Sequence, residues 1–125
     1  KANMVRQGAK VAILAFGTLL HIAQRAANES NATLVDMRWV KPLDEVLLHE
    51  LVKTHTHFVT IEDSSVAGGA GSAVAQWMID HGFTTHILNL GLPDQFIDHG
   101  EVPVLLAENG LSEDSVASKV RDFVA

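Results

Sequence analysis

Close-set apolar positions recur in four short runs rich in Val, Ile and Leu: Lys10–Phe16, Ala32–Arg38, Phe58–Glu62 and His86–Leu90. They predict strands. Because the apolar residues adjoin one another instead of alternating with polar ones, both faces of each strand are expected to be covered, as in a parallel sheet between helical layers. The segments between them supply the helices. Leu19, Ala23 and Ala26 recur at helical spacing in the first, Leu47, Leu48, Leu51 and Val52 in the second, and Val74, Trp77 and Met78 in the third. Asp44 behind Pro42 is an N-cap, with Leu43 and Leu48 spaced as a hydrophobic staple. Ser112, followed by Glu113 and Asp114, caps another helix with Leu111 and Val116 as its staple and Val116, Val120, Phe123 and Val124 along one face. A shorter helix is predicted between Pro103 and Asn109, ended by Gly110. Strand–helix alternation of this kind implies an α/β three-layer α/β/α domain with right-handed crossovers, without repeats or linkers.

Ligands of such sheets approach the carboxyl ends of the strands, which directs attention to Gly17–Thr18, Arg38–Trp39, Glu62–Asp63 and Gly91–Asp94. Composition narrows the chemistry. The 125 residues, 13.5 kDa, make one domain with an ordinary share of apolar residues, 47%, so a buried core is expected. Nine Lys and Arg against fifteen Asp and Glu give a net charge of -6 and no basic stripe, so neither nucleic acid nor a membrane surface is an expected partner. Val11–Phe16, the longest nearly unbroken apolar run, is far too short to cross a bilayer, and no charged leader precedes it. The absence of cysteine excludes disulfides, thiolate zinc and a Cys nucleophile, and agrees with a reducing, cytoplasmic setting. The chain begins at Lys1 instead of Met, which points to a piece of a longer polypeptide.

Several residue groups carry candidate chemistry. Gly68-Gly69-Ala70-Gly71-Ser72 opens the third helix, where free amides and the helix dipole could hold an anion. Val74 stands where a dinucleotide fingerprint needs Gly or Ala, the loop follows the third strand and not the first, and no Lys completes a phosphate loop, so a tight turn with close helix packing is the preferred reading. Arg38 ends a strand on the same face as Asp36, with Lys41 and Asp44 close behind. A guanidinium there could clamp a phosphate or carboxylate through two parallel hydrogen bonds, or pair with Asp36 or Asp44; the pair is favoured because most such arginines are structural, and spacing does not separate the two. His55 and His57 would share a face of an extended segment as metal ligands sometimes do, yet no third ligand stands nearby, and His21, His49 and His81 read as helix-surface residues. His99, in the loop after the last strand, is read as solvated in preference to a general base. Ser64, Ser65 and Ser72 lack a nucleophile elbow, adjacent Glu62 and Asp63 would face opposite ways, and Trp39 and Trp77 are packing or interface residues. The residues by themselves give an α/β domain without a complete active site.

The stretch ATLVDMRWVKPLD, Ala32–Asp44, closely resembles the carboxyl-terminal domain of the 1-deoxy-D-xylulose-5-phosphate synthase family, thiamine-diphosphate enzymes of the transketolase superfamily. VAILAFGT (Val11–Thr18), VTIED (Val59–Asp63), GGAGSAV (Gly68–Val74) and LGLPDQFI (Leu90–Ile97) are similar to further family segments in order and separation, so the resemblance spans essentially the whole chain. It implies a transketolase C-terminal-domain-like fold: about five strands, mostly parallel, with an antiparallel N-terminal edge strand at Ala2–Arg6. Residues 1–125 would then be the last domain of a longer, homodimeric enzyme whose preceding domains bind thiamine diphosphate and Mg2+. That enzyme condenses pyruvate with glyceraldehyde 3-phosphate, losing carbon dioxide, toward isoprenoid, thiamine and pyridoxal precursors. Arg38 matches the family arginine that holds the aldehyde's phosphate, which reverses the preference for a structural pair. Glu62, Gly68 and Gly69 become candidate interface or loop residues. No catalytic residue, metal ligand or cofactor is expected in the chain itself. Ser64 departs from the Asn common in relatives and the Asp98–His99 loop varies, so no role passes to His99. Alternatives are the equivalent domain of a transketolase or of a 2-oxo acid dehydrogenase beta subunit, and a non-catalytic subunit-assembly module.

Overall fold

A computed structural model describes residues 2–17, 19–38, 43–62, 69–91 and 111–125. Its sheet has five strands, β1 (Asn3–Arg6), β2 (Lys10–Phe16), β3 (Thr33–Arg38), β4 (His55–Glu62) and β5 (His86–Gly91), in the order β1-β3-β2-β4-β5. All neighbours are parallel except β1, which runs antiparallel along β3 as the resemblance implies. Four helices are described: α1 (Leu20–Ser30), α2 (Glu45–Leu51), α3 (Ala70–Asp80) and α4 (Glu113–Val124).

The central strand β2 explains the close-set apolar pattern. Val11, Ile13 and Ala15 face one layer, against Ile22 and Ala23 of α1 and Val116 and Val120 of α4. Ala12, Leu14 and Phe16 face the other, against Leu48 of α2 and Val74, Trp77 and Met78 of α3. A strand covered on both sides has no solvent face on which to place polar residues. The three layers expected from the strand–helix alternation are thus present.

Helix ends follow their sequence signals. Asp44 accepts the Leu47 amide at 3.1 Å and Ser112 accepts that of Ser115 at 3.2 Å, satisfying donors that a first helical turn leaves unpaired. Both staples are in place, with Leu43 and Leu48 in one core layer and Leu111 and Val116 in the other. Helix α1 stops where Asn31 turns left-handed, φ +50°, and returns its amide to Ala27 O. Arg25 and Arg121 both pair with Glu29, and Arg25 also with Asp114, which ties α1 to α4; hydrogen bonding to Arg25 holds the exposed Glu29 carboxyl below its ordinary range.

Strand β4 begins at His55, three residues before the expected Phe58. The polar run Thr-His-Thr-His concealed the start, yet His55 and His57 pair with Lys10 and Val11 of β2, and His57 with His86 of β5. The helix expected between Pro103 and Asn109, and its terminal Gly110, lie outside the described residues.

Candidate functional site at the carboxyl edge of the sheet

Strand register lines up Arg38, Phe16, Glu62 and Gly91 as one row across the carboxyl ends of β3, β2, β4 and β5. With strands about 4.8 Å apart, the Arg38 and Glu62 backbones stand about 10 Å from each other on either side of β2. Phe16 between them is fully buried. The polar groups therefore flank an apolar centre.

Arg38 is placed by an irregularity in the ladder. Ala15 pairs with Asp36 and Phe16 with Arg38, so Met37 is an extra residue on β3, a bulge in a parallel pair. Met37 turns into the core, 4% exposed, and Arg38 takes a left-handed backbone, φ +61°, with its side chain exposed. For a residue with a Cβ this conformation costs roughly 1 to 2 kcal/mol, so it persists only where neighbours hold it. Both ends of the residue are held. The Asp36 carboxylate accepts the Arg38 amide at 3.0 Å, and the Gly17 amide donates to the Arg38 carbonyl at 2.9 Å.

The ion pairs weighed for Arg38 are not made among the described residues. Asp36 spends one oxygen on the Arg38 backbone, and Asp44 caps α2 while accepting the Ala2 amide at 3.4 Å. On the α1 side an open cleft of about 870 Å³ is lined by Gly17, Leu20, His21, Gln24, Asp36 and Glu113 among others.

Glu62 closes the other side of the row. Its Oε1 accepts the Gly69 amide at 3.2 Å and its Oε2 that of Gly71 at 2.6 Å, so one carboxylate caps the first turn of α3. Gly69 carries φ +95°, and a Cβ on Gly71 would lie 2.7 Å from the Asn89 side chain and 2.8 Å from Thr60 Oγ1. Two glycines thus let the helix start press on the sheet where Glu62 reaches it. The anion that this terminus attracts is the protein's own, favourably placed against the helix dipole. Gly68, Thr18, Trp39, Lys41, Asp63, Ser64, Ser65 and His99 lie outside the described residues.

His55 and His57 do not share a face, which corrects the sequence expectation. Lys10 pairs with His55 and Val11 with His57, leaving Thr56 as an extra residue. This second bulge breaks the two-residue alternation on which the expectation rested. His55 is buried, bonding Thr33 Oγ1 at 2.7 Å and the Leu51 carbonyl of α2 at 3.0 Å, whereas His57 stacks on His86 and packs against Phe123 of α4 in the opposite layer. Burial, with the charges of His86 and Lys10, holds the His57 imidazole below its usual range. His21, His49 and His81 are exposed, as expected, and Trp77 packs in the core with its indole N–H donated to Glu45 at 3.0 Å.

Sequence reasoning named Asp36 and Glu62 without their bonds. An Asx side chain accepting the amide two residues on is a local turn pattern legible in Asp36-Met37-Arg38. The Glu62 cap spans seven to nine residues and depends on α3 docking against β4, which no local signal reveals.

A family model described as Transketolase, C-terminal domain, matches residues 1–116. The 1-deoxy-D-xylulose-5-phosphate synthase of Pseudoalteromonas translucida is 52% identical over 124 residues, covering 99% of this chain and 20% of the relative. Those of Bordetella avium and Vibrio vulnificus are 51% and 47% identical over 125 residues, again across 20% of their length. The chain therefore spans about a fifth of the curated relatives it matches. Among solved structures, a split gene transketolase described as an inactive beta4 tetramer superposes with a TM-score of 0.83 at 29% identity, covering 99% of this chain and 42% of that one. A transketolase from Campylobacter jejuni, at 15% identity and TM-score 0.58 over 97% of this chain and 18% of its own, shares the fold.

Proposed function

The chain belongs to the transketolase C-terminal domain family, and from that premise we propose that it is the closing domain of a 1-deoxy-D-xylulose-5-phosphate synthase. The observation that carries this reading is identity of 52% across 99% of the chain with a relative of that name. The parent would join pyruvate to glyceraldehyde 3-phosphate with loss of carbon dioxide, as a cytoplasmic homodimer supplying isoprenoid, thiamine and pyridoxal precursors. Its thiamine diphosphate and Mg2+ belong to the remainder of the parent. Among the described residues, the glycine-built start of α3 already holds the Glu62 carboxylate in place of a diphosphate, and no three His, Asp or Glu side chains converge on a cation.

What this domain contributes is binding and charge. Arg38, exposed at the carboxyl edge and backed by a saturated backbone, is the donor for the aldehyde's phosphate. Glu62 fixes the start of α3 beside the same edge through the Gly69 and Gly71 amides, which makes Glu62 and Gly69 interface candidates in the parent, with Gly68 a candidate on the resemblance alone. The isolated chain is catalytically inert under this reading.

In the parent, Arg38→Ala is expected to raise KM for glyceraldehyde 3-phosphate by about 10- to 150-fold, the loss of a charged hydrogen bond of roughly 1.5 to 3 kcal/mol, with pyruvate KM little changed. Steady-state kinetics with each substrate varied in turn checks it, and an unaltered aldehyde KM rejects the assignment. Turnover of these substrates by the isolated chain supplied with thiamine diphosphate and Mg2+ would contradict its inertness. Preference for a phosphorylated sugar donor over pyruvate would move the parent to a transketolase.

A further inference from the structure

We propose that Asp36 is the positioning residue for Arg38: its carboxylate holds the left-handed bend from which the guanidinium is presented. The proposal rests on the reading of Arg38 as the donor to the aldehyde's phosphate. Four observations support it. Arg38 keeps φ +61° although it is not glycine. The bulge at Met37 removes the strand pairing that would otherwise fix the peptide before Arg38, and the Asp36 carboxylate supplies the acceptor in its place at 3.0 Å. Gly17, itself at φ +87°, secures the other end by donating to the Arg38 carbonyl at 2.9 Å. Asp36 forms no ion pair with the Arg38 side chain or any other cation among the described residues, so its charge is not consumed in one.

Electrostatics gives the assignment its edge. A carboxylate two residues from a phosphate-binding arginine repels the incoming dianion, so it weakens binding unless it does something a neutral neighbour would leave undone. Accepting a backbone N–H is such a task, and a charged oxygen accepts more strongly than a neutral one. The role is therefore acceptor first and charge second. That order separates Asp36→Asn, which keeps an acceptor oxygen and drops the charge, from Asp36→Ala, which loses both. A carboxylate acting as a charge partner of the guanidinium would make the two variants alike.

The test uses the parent enzyme with glyceraldehyde 3-phosphate and, in parallel, glyceraldehyde, which lacks the phosphate. Asp36→Ala is expected to raise KM for the phosphorylated aldehyde about five- to tenfold, the worth of one hydrogen bond, with kcat and the kinetics with glyceraldehyde unchanged. Asp36→Asn is expected to stay within about twofold of wild type, the conservative change restoring the acceptor. A phosphorylated-aldehyde KM raised equally in both variants overturns the proposal, as does no change in Asp36→Ala. If Asp36→Ala fails to fold, Asp36→Asn decides: near-wild-type KM supports the acceptor role, and a fivefold rise confined to the phosphorylated aldehyde overturns it. Arg38→Ala runs alongside. Its silence removes the phosphate reading itself, whereas a large Arg38→Ala effect with a silent Asp36→Ala removes only the inference about Asp36.

Discussion

At the amino end of the sheet the bulge at Thr56 brings His55 into the interior, whereas at the carboxyl end the bulge at Met37 leaves Arg38 in solvent. At the first pole Gly8, Thr33, His55 and Leu51 form one linked set of hydrogen bonds. The Gly8 amide donates to Thr33 Oγ1 at 2.9 Å, the Thr33 hydroxyl meets His55 Nε2 at 2.7 Å, and His55 Nδ1 reaches the Leu51 carbonyl at 3.0 Å. A carbonyl only accepts, so Nδ1 carries the proton and Nε2 takes the Thr33 hydrogen. At the second pole, among the described residues, the Arg38 backbone is satisfied in this way while its side chain stays exposed. Side-chain bonds closed inside the fold stabilise it; an exposed donor with its backbone secured is available to a ligand.

The largest effect is expected where the amino pole is tightest. A Cβ on Gly8 would sit 2.4 Å from both the Ala32 carbonyl carbon and the Asn31 oxygen, backbone atoms that cannot swing aside. Gly8→Ala is expected to destabilise the chain by about 3 kcal/mol, read from urea denaturation. Thr33→Val keeps the shape and removes the hydroxyl, leaving the Gly8 amide and His55 Nε2 unpaired; a loss of about 2 kcal/mol is expected. Little change in either variant would deny that the pole is held by these contacts, and with it the contrast between the ends.

Glu62, by contrast with Arg38, is a carboxyl-edge residue whose side-chain bonds are structural. Glu62→Ala uncaps α3 and is expected to cost about 1 kcal/mol, with Glu62→Gln losing less since one acceptor oxygen remains. Melting or urea curves of the two variants check the order. Equal losses would mean that the side-chain stem resting on Gly91, where an added Cβ would come within 2.9 Å of Glu62 Cγ, matters more than the cap.

Much of this was legible in the sequence wherever a local pattern has one physical outcome. The apolar runs became β2 and β3 because strands covered on both faces admit few polar residues, whereas β5, an edge strand with His86 and Asn89 exposed, is not covered on both faces as expected; Asp44 and Ser112 became caps because their oxygens reach amides three residues on. What escaped depends on register. A bulge has no composition of its own, so neither the inward turn of His55 nor the bend at Arg38 could be read from alternation. The site was legible as residues, Arg38 and Glu62 at strand ends, and illegible as bonds, since the Glu62 cap requires a helix and a strand already docked.

The smallest effect concerns protons at the amino pole. His57 lies stacked on His86 with ring centroids 4.5 Å apart, beneath Phe123 of α4, bonded through Nδ1 to Thr56 Oγ1 at 2.8 Å, with Lys10 as the nearby cation. Burial first, and then His86 and Lys10, lower its affinity for a proton from the ordinary value of 6.5. The folded chain therefore binds fewer protons at this position than the unfolded chain does. Stability is fully present above 6.5 and declines as the pH falls from there through the depressed folded value, below which both states are protonated and the decline ends. His57→Phe removes that proton while preserving an aromatic ring against Phe123. Urea midpoints measured at about pH 7.5 and about pH 5.5 are expected to fall further in the wild type than in His57→Phe, the other histidines being common to both. Parallel declines would show that His57 binds its proton in the folded chain as it does in the unfolded one, and that its packing between His86 and Phe123 does not set its charge.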